Sequence, residues 1–278
     1  MKNKICVVTG ANSGIGRAMA MDLAGAGAQL AMVCRDPGRG REALEAVRAA
    51  TGNDGVELFR ADLSSQGDIR ALSAALHERY ERVDVLLNNA GVYLPSRRLT
   101  EEGREAMMAT NHLAPFLLTQ LLLDRLEASD DARVVTTSSM GHWIGGRDAD
   151  DFEAERSYVA SVHYGRSKLA NILFTRELSR RIRGRGVSVN CFHPGTIATG
   201  FAQDEPGWLG SLVKIGRFVL QSPEAGADTG LWLARSPEGG RISGEYFSGR
   251  KVRRTSRAAC DRALAARLWA WSESVTGA

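Results

Sequence analysis

The sequence is short of the features that would place it outside ordinary globular chemistry. It has four cysteines, Cys6, Cys34, Cys191 and Cys260, and no CxxC pair. Three of them fall in apolar, strand-like runs. They read as small buried hydrophobes in a reducing compartment, not as a disulfide framework. No His or Cys stands at ligand spacing from another Cys, so no metal site is expected. Long apolar runs are missing too. The longest, Leu113 to Leu123, is interrupted by Pro115, Thr119 and Gln120 and is too short to cross a bilayer. The first residues, MKNKICVVTG, pass straight into an apolar run and a glycine turn, with no stretch that reads as a secretory leader. No membrane segment and a cytoplasmic location are the expectations. Charge of one sign is also scarce: the formal net charge is +4, spread thinly. The exception is RKVRRTSR, Arg250 to Arg257, which reads as a solvated surface strip, so no nucleic-acid partner is expected.

What is present is an alternation. Short β-branched runs at Ile5–Thr9, Ala28–Cys34, Val56–Ala61, Val83–Leu87, Val134–Ser138, Val187–Phe192 and Glu245–Ser248 are separated by helical patterns. The helices are predicted at Ile15–Ala26, Arg41–Ala50, Ile69–Glu81, Arg104–Leu126, Tyr164–Ile182, Glu224–Leu233 and Ala258–Ser274. Apolar strands alternating with amphipathic helices predict an α/β fold: a single-domain, Rossmann-type, doubly wound parallel sheet of about seven strands with helices on both faces. Two loops are long, 141–163 and 198–221. The second mixes Trp208, Leu209, Leu212, Val213 and Phe218 with glycine and is expected to form a substrate lid.

The first strand runs into Thr9-Gly10-Ala11-Asn12-Ser13-Gly14-Ile15-Gly16. Glycines there permit a tight turn and a close approach of backbone to a pyrophosphate, and the following helix aims its free amides at the phosphates. At the end of the second strand stands Arg35, where binders of NAD usually place a carboxylate for the ribose 2′-hydroxyl. A guanidinium matches a 2′-phosphate instead. Arg17 adds a second cation, and Asp36 reads as a helix N-cap before Pro37. NADP(H) is therefore the predicted cofactor.

Tyr164 and Lys168 occupy i and i+4 of a predicted helix and share a face. A phenol titrates near ~10. A neighbouring ammonium is expected to lower that value and make Tyr164 a proton donor or acceptor. Only five of the 36 basic residues are lysines, and no other tyrosine has a lysine four residues on. The run Arg133 to Ser139 ends in two hydroxyls, and Ser139 is preferred over Ser138 as the group that polarises a substrate carbonyl. Asn88, Ala90 and Gly91 follow the fourth strand, where small residues let a flat ring lie near the backbone. Asn111, inside a helical pattern it suits poorly, is expected to bend the helix and bind a water. His112, His142, His163 and His193 read as packing or local hydrogen-bonding residues, and Trp269 and Trp271 as core or subunit contacts. GxSxG is absent, which excludes the nucleophile-elbow hydrolases.

TGANSGIG, Asp62-Leu63, NNAG, Asn111, Ser139, YGRSK and Pro194-Gly195 occur in the order seen in the short-chain dehydrogenase/reductase family, which the chain resembles from about residue 4 onward. CRD at 34–36, SSMGHWIG, Asp150-Asp151, YGRSKLANILF, SGEYFSG and LWAWSES resemble the branch that includes the retinol dehydrogenases. Several members of that branch carry an N-terminal membrane segment that is not seen here. The resemblance implies roles. Tyr164 exchanges a proton, Lys168 lowers its pKa and holds the nicotinamide ribose, Ser139 orients the substrate oxygen, and Asn111 supports a proton-relaying water. The cofactor would be lined by Gly10, Asn12, Ser13, Gly14, Ile15, Gly16, Arg35, Asp62, Leu63, Asn88, Ala90, Gly91, Pro194, Gly195, Ile197 and Thr199. The expected activity is reversible reduction of a ketone or aldehyde with NADPH, on a lipophilic small molecule, in a homodimer or homotetramer of the kind common in the family. Two other readings fit the same residues: a cofactor-binding sensor or scaffold without catalysis, and a same-fold enzyme acting on a carbon–carbon double bond or isomerising its substrate.

Overall fold

The computed structural model describes residues 1–146, 149–195 and 222–278. Its frame is a sheet whose strands are buried along their whole length near the centre. β1 (Ile5–Thr9), β4 (Val85–Asn88), β5 (Ala132–Thr137) and β6 (Val187–Phe192) have no exposed residue. Strands this apolar need cover on both faces, which right-handed helical crossovers supply. β2 (Gln29–Cys34) and β3 (Val56–Arg60) lie to one side of β1, and β7 (Tyr246–Ser248) and β8 (Lys251–Val252) lie beyond β6. The order is β3-β2-β1-β4-β5-β6-β7-β8, parallel throughout except for the antiparallel β7–β8 pair. The expected seven parallel strands are present, and the eighth is a two-residue return that carries no periodic signal.

Side chains alternate between two apolar layers. Val7 joins Ile69, Leu72, Leu76, Phe116 and Phe174 on one face. Cys6 and Val8 join Met19, Leu23, Val47 and Leu231 on the other. The first layer is covered by α3 (Gln66–Arg79), α5 (Ala114–Leu121) and α7 (Ala160–Arg181). The second is covered by α1 (Gly14–Gly25), α2 (Pro37–Thr51) and α8 (Pro223–Arg235). The helix expected from 104 to 126 is broken. It comprises α4 (Ala106–Met108), a π-helical turn at Ala109–Leu113, α5, and α6 (Leu123–Glu127). Asn111 lies in the widened turn, which interrupts the regular α-helix at that point. Toward the C-terminus come a short α9 (Pro237–Arg241), which periodicity does not reveal, and α10 (Arg262–Thr276). Asp261 caps α10 by accepting from the amides of Ala263 and Leu264, which detaches it from the 3₁₀ turn at Ala258–Cys260. Among the described residues no helix is long and apolar enough to cross a membrane.

The sheet reverses direction of winding between β1 and β4, and a crevice opens at the carboxyl ends of those two strands. The opposite end is closed by a buried charge. Asp84, 1% exposed, accepts from Lys4 Nζ at 2.8 Å, Ile5 N at 2.8 Å, Ser129 Oγ at 2.7 Å and Arg82 Nε at 3.2 Å. Burial alone would raise its pKa, but these donors outweigh it and hold the carboxyl below the ordinary range. A depressed carboxylate stabilises the fold above its unfolded pKa, and that contribution is lost as pH falls through the folded value. Asp84→Asn should therefore lower the unfolding free energy by about 3 kcal/mol near neutral pH. In urea unfolding at a series of pH values the deficit should shrink in acid, below about pH 4. An undiminished deficit there would contradict a charge-based role.

Candidate active site

The crevice is built first from a close contact. Gly10 and Gly14 have φ of +66° and +53°, which turns the chain sharply after β1. Gly16 lies directly against the turn, where a Cβ would collide with the Gly10 carbonyl and stand 2.5 Å from Asn89 Nδ2. Ser13 precedes α1 with extended backbone and makes no side-chain cap, so the first amides of α1 keep their donors. Asn12 and Ile15 are half-buried on the same turn, and Arg17 is exposed just beyond it. Arg35 follows β2 with its side chain 72% exposed, 3.8 Å from Asp62 Oδ2. Asp36 does cap α2. Its Oδ1 accepts from Gly38 N at 2.8 Å and Arg39 N at 3.0 Å, and these bonds help hold its pKa down. Arg35 is thus left as the cation that faces outward at the end of β2. Leu63, Ala90 and Asn88 line a small hollow with Thr9, Thr110 and Leu118.

Asn88 and Asn89 divide their work. Asn88 Nδ2 donates to Thr119 Oγ1 at 3.0 Å, which ties the end of β4 to α5. Asn89 has a bracing role that its place in NNAG does not by itself reveal. Its N–H donates to Thr9 Oγ1 at 2.9 Å and its Nδ2 to the Thr9 carbonyl at 3.0 Å, while its Oδ1 accepts from Thr137 Oγ1 at 3.4 Å. It ties the ends of β1, β4 and β5 together. A second polar residue directly after a buried strand was the available signal.

Tyr164, Lys168, Ser139 and Asn111 do converge. α7 lies so close to the 3₁₀ turn Met140–Trp143 that a Cβ on Gly165 would collide with the Gly141 carbonyl. Tyr164 hydrogen-bonds Ser139, and its ring packs edge-on to Tyr93 with centroids 5.8 Å apart. Ser139 Oγ accepts from Gly141 N at 3.1 Å, so its own hydrogen is free to turn elsewhere. Ser138 is buried, and its hydroxyl donates to the Lys168 carbonyl at 2.8 Å, a structural task that Ser139 does not share. Lys168 is 3% exposed. Its Nζ donates to the Thr137 carbonyl at 3.2 Å and lies 5.6 Å from the Tyr164 ring centroid. A Cβ on Gly91 would stand 3.3 Å from that ammonium, so the NNAG turn and the lysine share one space.

Two expectations need correction. Burial dominates the phenol: it pushes Tyr164 up to about 12, with only the Ser139 hydrogen bond pulling the other way. Burial also weakens the Lys168 ammonium, to about 8, and its nearby charge does not outweigh the burial of the phenol. Nor is the Asn111 amide open to water. Its Oδ1 accepts from Val92 N at 2.7 Å, and its Nδ2 donates to the Val92 carbonyl at 3.0 Å and to Ser167 Oγ at 2.9 Å. Ser167 in turn donates to the Tyr164 carbonyl at 2.8 Å, so Asn111 braces the helix that carries the tyrosine. Pro194 and Gly195 follow β6 at the same end of the sheet, Gly195 with φ +87°. Ile197, Thr199 and the lid expected at 198–221 lie outside the described residues.

The histidines are held by neighbours. His163 Nε2 is 2.6 Å from Glu105 Oε2 in a buried pair, and His112 Nε2 is 2.9 Å from Ser272 Oγ. Trp269 packs against Phe116 and Phe174 in the core, and Trp271 stacks on His112. The segment ahead of α7 is pinned by Asp151, whose carbonyl accepts from buried Arg166 at 2.5 Å and whose Oδ1 accepts from Glu155 N.

Known proteins resemble the chain in sequence and in fold. The chain is 41% identical to human retinol dehydrogenase 13 over 99% of its own length and 85% of the relative's. The crystal structure of a Mycobacterium paratuberculosis protein superposes with a TM-score of 0.80 at 34% identity, covering 99% of this chain and 94% of that one. An Escherichia coli short-chain dehydrogenase crystallised with NADPH superposes with a TM-score of 0.67 at 27% identity, covering 89% of this chain and 96% of the other. Residues 4–209 match the short chain dehydrogenase family model. With that match over the glycine turn and the tyrosine–lysine helix, the chain belongs to the short-chain dehydrogenase family of oxidoreductases.

Proposed function

We propose that the protein is an NADP(H)-dependent oxidoreductase, folded as one domain, that interconverts a ketone or aldehyde and an alcohol on a lipophilic small molecule. The observation that carries this reading is the convergence of Ser139, Tyr164 and Lys168 beside the glycine turn of β1. The retinol dehydrogenase name of its relative supports alcohol chemistry on an apolar substrate, and the NADPH bound by the Escherichia coli relative supports the cofactor. The residues fit that cofactor. The uncapped start of α1 and the turn at Gly10 suit its pyrophosphate, Arg35 suits a 2′-phosphate, and the Lys168 ammonium beside Gly91 suits the nicotinamide ribose.

Bound NADPH would supply a hydride to the carbonyl carbon. The protein's residues manage the oxygen. A buried phenol that keeps its proton to about 12 is in the right state to donate it to a developing alkoxide. Ser139, already accepting from Gly141, donates its own hydrogen to the same oxygen and orients it. Lys168 is still protonated at neutral pH, and its charge favours the phenolate left behind. Any proton-relaying water at Asn111 must use main-chain groups of the π turn, because the side-chain amide is engaged.

Tyr164→Phe should abolish turnover while NADPH binding persists, measured by cofactor fluorescence alongside a carbonyl-reduction assay. Full activity in that variant would remove the phenol from the mechanism. Arg35→Glu should weaken NADPH binding on the order of tenfold to a hundredfold, the loss of one charge-assisted pair, and leave NADH binding at its wild-type value or tighter. Equal weakening for both cofactors would contradict 2′-phosphate recognition.

A further inference from the structure

The basic run that ends in Arg257 does more than cover surface. Arg250 pairs with Asp228, and Arg253 donates its backbone amide to the Tyr246 carbonyl at 2.9 Å. The chain then turns inward, and Ser256 is 6% exposed. Its amide meets His142, which is fully buried against the Tyr246 ring with centroids 5.0 Å apart. His142 reaches two backbone groups. Its Nδ1 is 2.8 Å from the Ser139 carbonyl, and its Nε2 is 3.2 Å from Ser256 N. A backbone amide can only donate, so Nε2 must be the unprotonated nitrogen. A carbonyl can only accept, so Nδ1 must carry the hydrogen. Burial, which disfavours the imidazolium, agrees with a neutral ring.

We propose that His142 is a positioning residue for Ser139, held as the Nδ1–H tautomer, and that it passes to Ser139 the placement of the C-terminal segment through Ser256. The proposal rests on Ser139 contacting the substrate oxygen, as proposed above. With the carbonyl of Ser139 gripped from below, its backbone cannot rotate, and its hydroxyl stays between Gly141 and Tyr164. Releasing that grip moves one hydrogen-bonding atom relative to the reacting carbonyl while leaving the cofactor crevice intact.

The test uses two side chains that each keep half of the imidazole's bonding. In His142→Asn the amide nitrogen replaces Nδ1 and still donates to the Ser139 carbonyl. In His142→Gln the amide oxygen replaces Nε2 as acceptor for Ser256 N–H, and the Ser139 carbonyl keeps only the longer bond from the main-chain amide of residue 142, 3.2 Å in the wild type, with no side-chain donor. The proposal expects His142→Asn to keep kcat within about threefold of wild type. It expects His142→Gln to lose between about tenfold and a hundredfold in kcat, the usual effect of a misplaced positioning group. The KM for NADPH should be unchanged in both. Equal kcat losses in the two variants, or a loss confined to the KM for NADPH, would overturn it. Imidazole ¹⁵N NMR of the full-length wild-type protein supplies a readout independent of turnover. A His142 signal of the Nδ1–H form supports the proposal, and one of the Nε2–H form contradicts it. Absence of carbonyl reduction by the wild type would instead defeat the functional reading, and the spectrum would still decide the geometry around His142.

Discussion

The site depends on how closely the first helix approaches the sheet. Gly16 rests on the Gly10 carbonyl and on Asn89 Nδ2, with no room for a methyl group. That contact sets the height of the α1 amides above β1. It also draws the end of β4 inward, because Asn89 is bonded to Thr9 through both its main chain and its amide. Once β4 is fixed, Ala90 packs against Gly10 and Gly91 falls beside the Lys168 ammonium. A cofactor crevice and a lysine from a helix about 150 residues away by sequence are thus brought together by backbone contact.

The two ends of the sheet treat buried charge differently. At the amino end Asp84 collects donors from Lys4, Ile5, Arg82 and Ser129, and its job is complete. At the carboxyl end Lys168 holds the carbonyl of Thr137, and Asn171 shares the same acceptor. An ammonium has three hydrogens. Burial has already weakened this one, so a ribose hydroxyl or a developing phenolate would be a favourable addition. The same reasoning applies to Ser139, which accepts from Gly141 and retains a hydrogen to give.

Much of this was legible in the sequence because its signals are local. β1 and β6 were readable to the residue from short β-branched and apolar runs, and Gly10, Tyr164 and Lys168 from spacing on a turn and a helix. Asp36 was readable as a cap because a cap acts on the next three residues. What escaped depends on distant partners. Nothing near Asn89 announces Thr9 and Thr137, and nothing near His142 announces Ser256. The rise in the Tyr164 pKa escaped for the same reason. Spacing shows that a lysine is near, but only packing shows that burial outweighs it. The break of the helix at Ala109–Leu113 was visible through Asn111, although its π form and the engagement of the amide with Val92 required tertiary structure.

The central claim is that a hydride and a proton reach the two atoms of one carbonyl at this site. It is tested most directly by supplying NADPH deuterated at the transferring position of the nicotinamide, with a panel of lipophilic ketones and aldehydes, and locating the label in the product. The account predicts an alcohol with one deuterium on the carbinol carbon. Deuterium at a former double bond, an unlabelled rearranged product, or no labelled product with any carbonyl would contradict it.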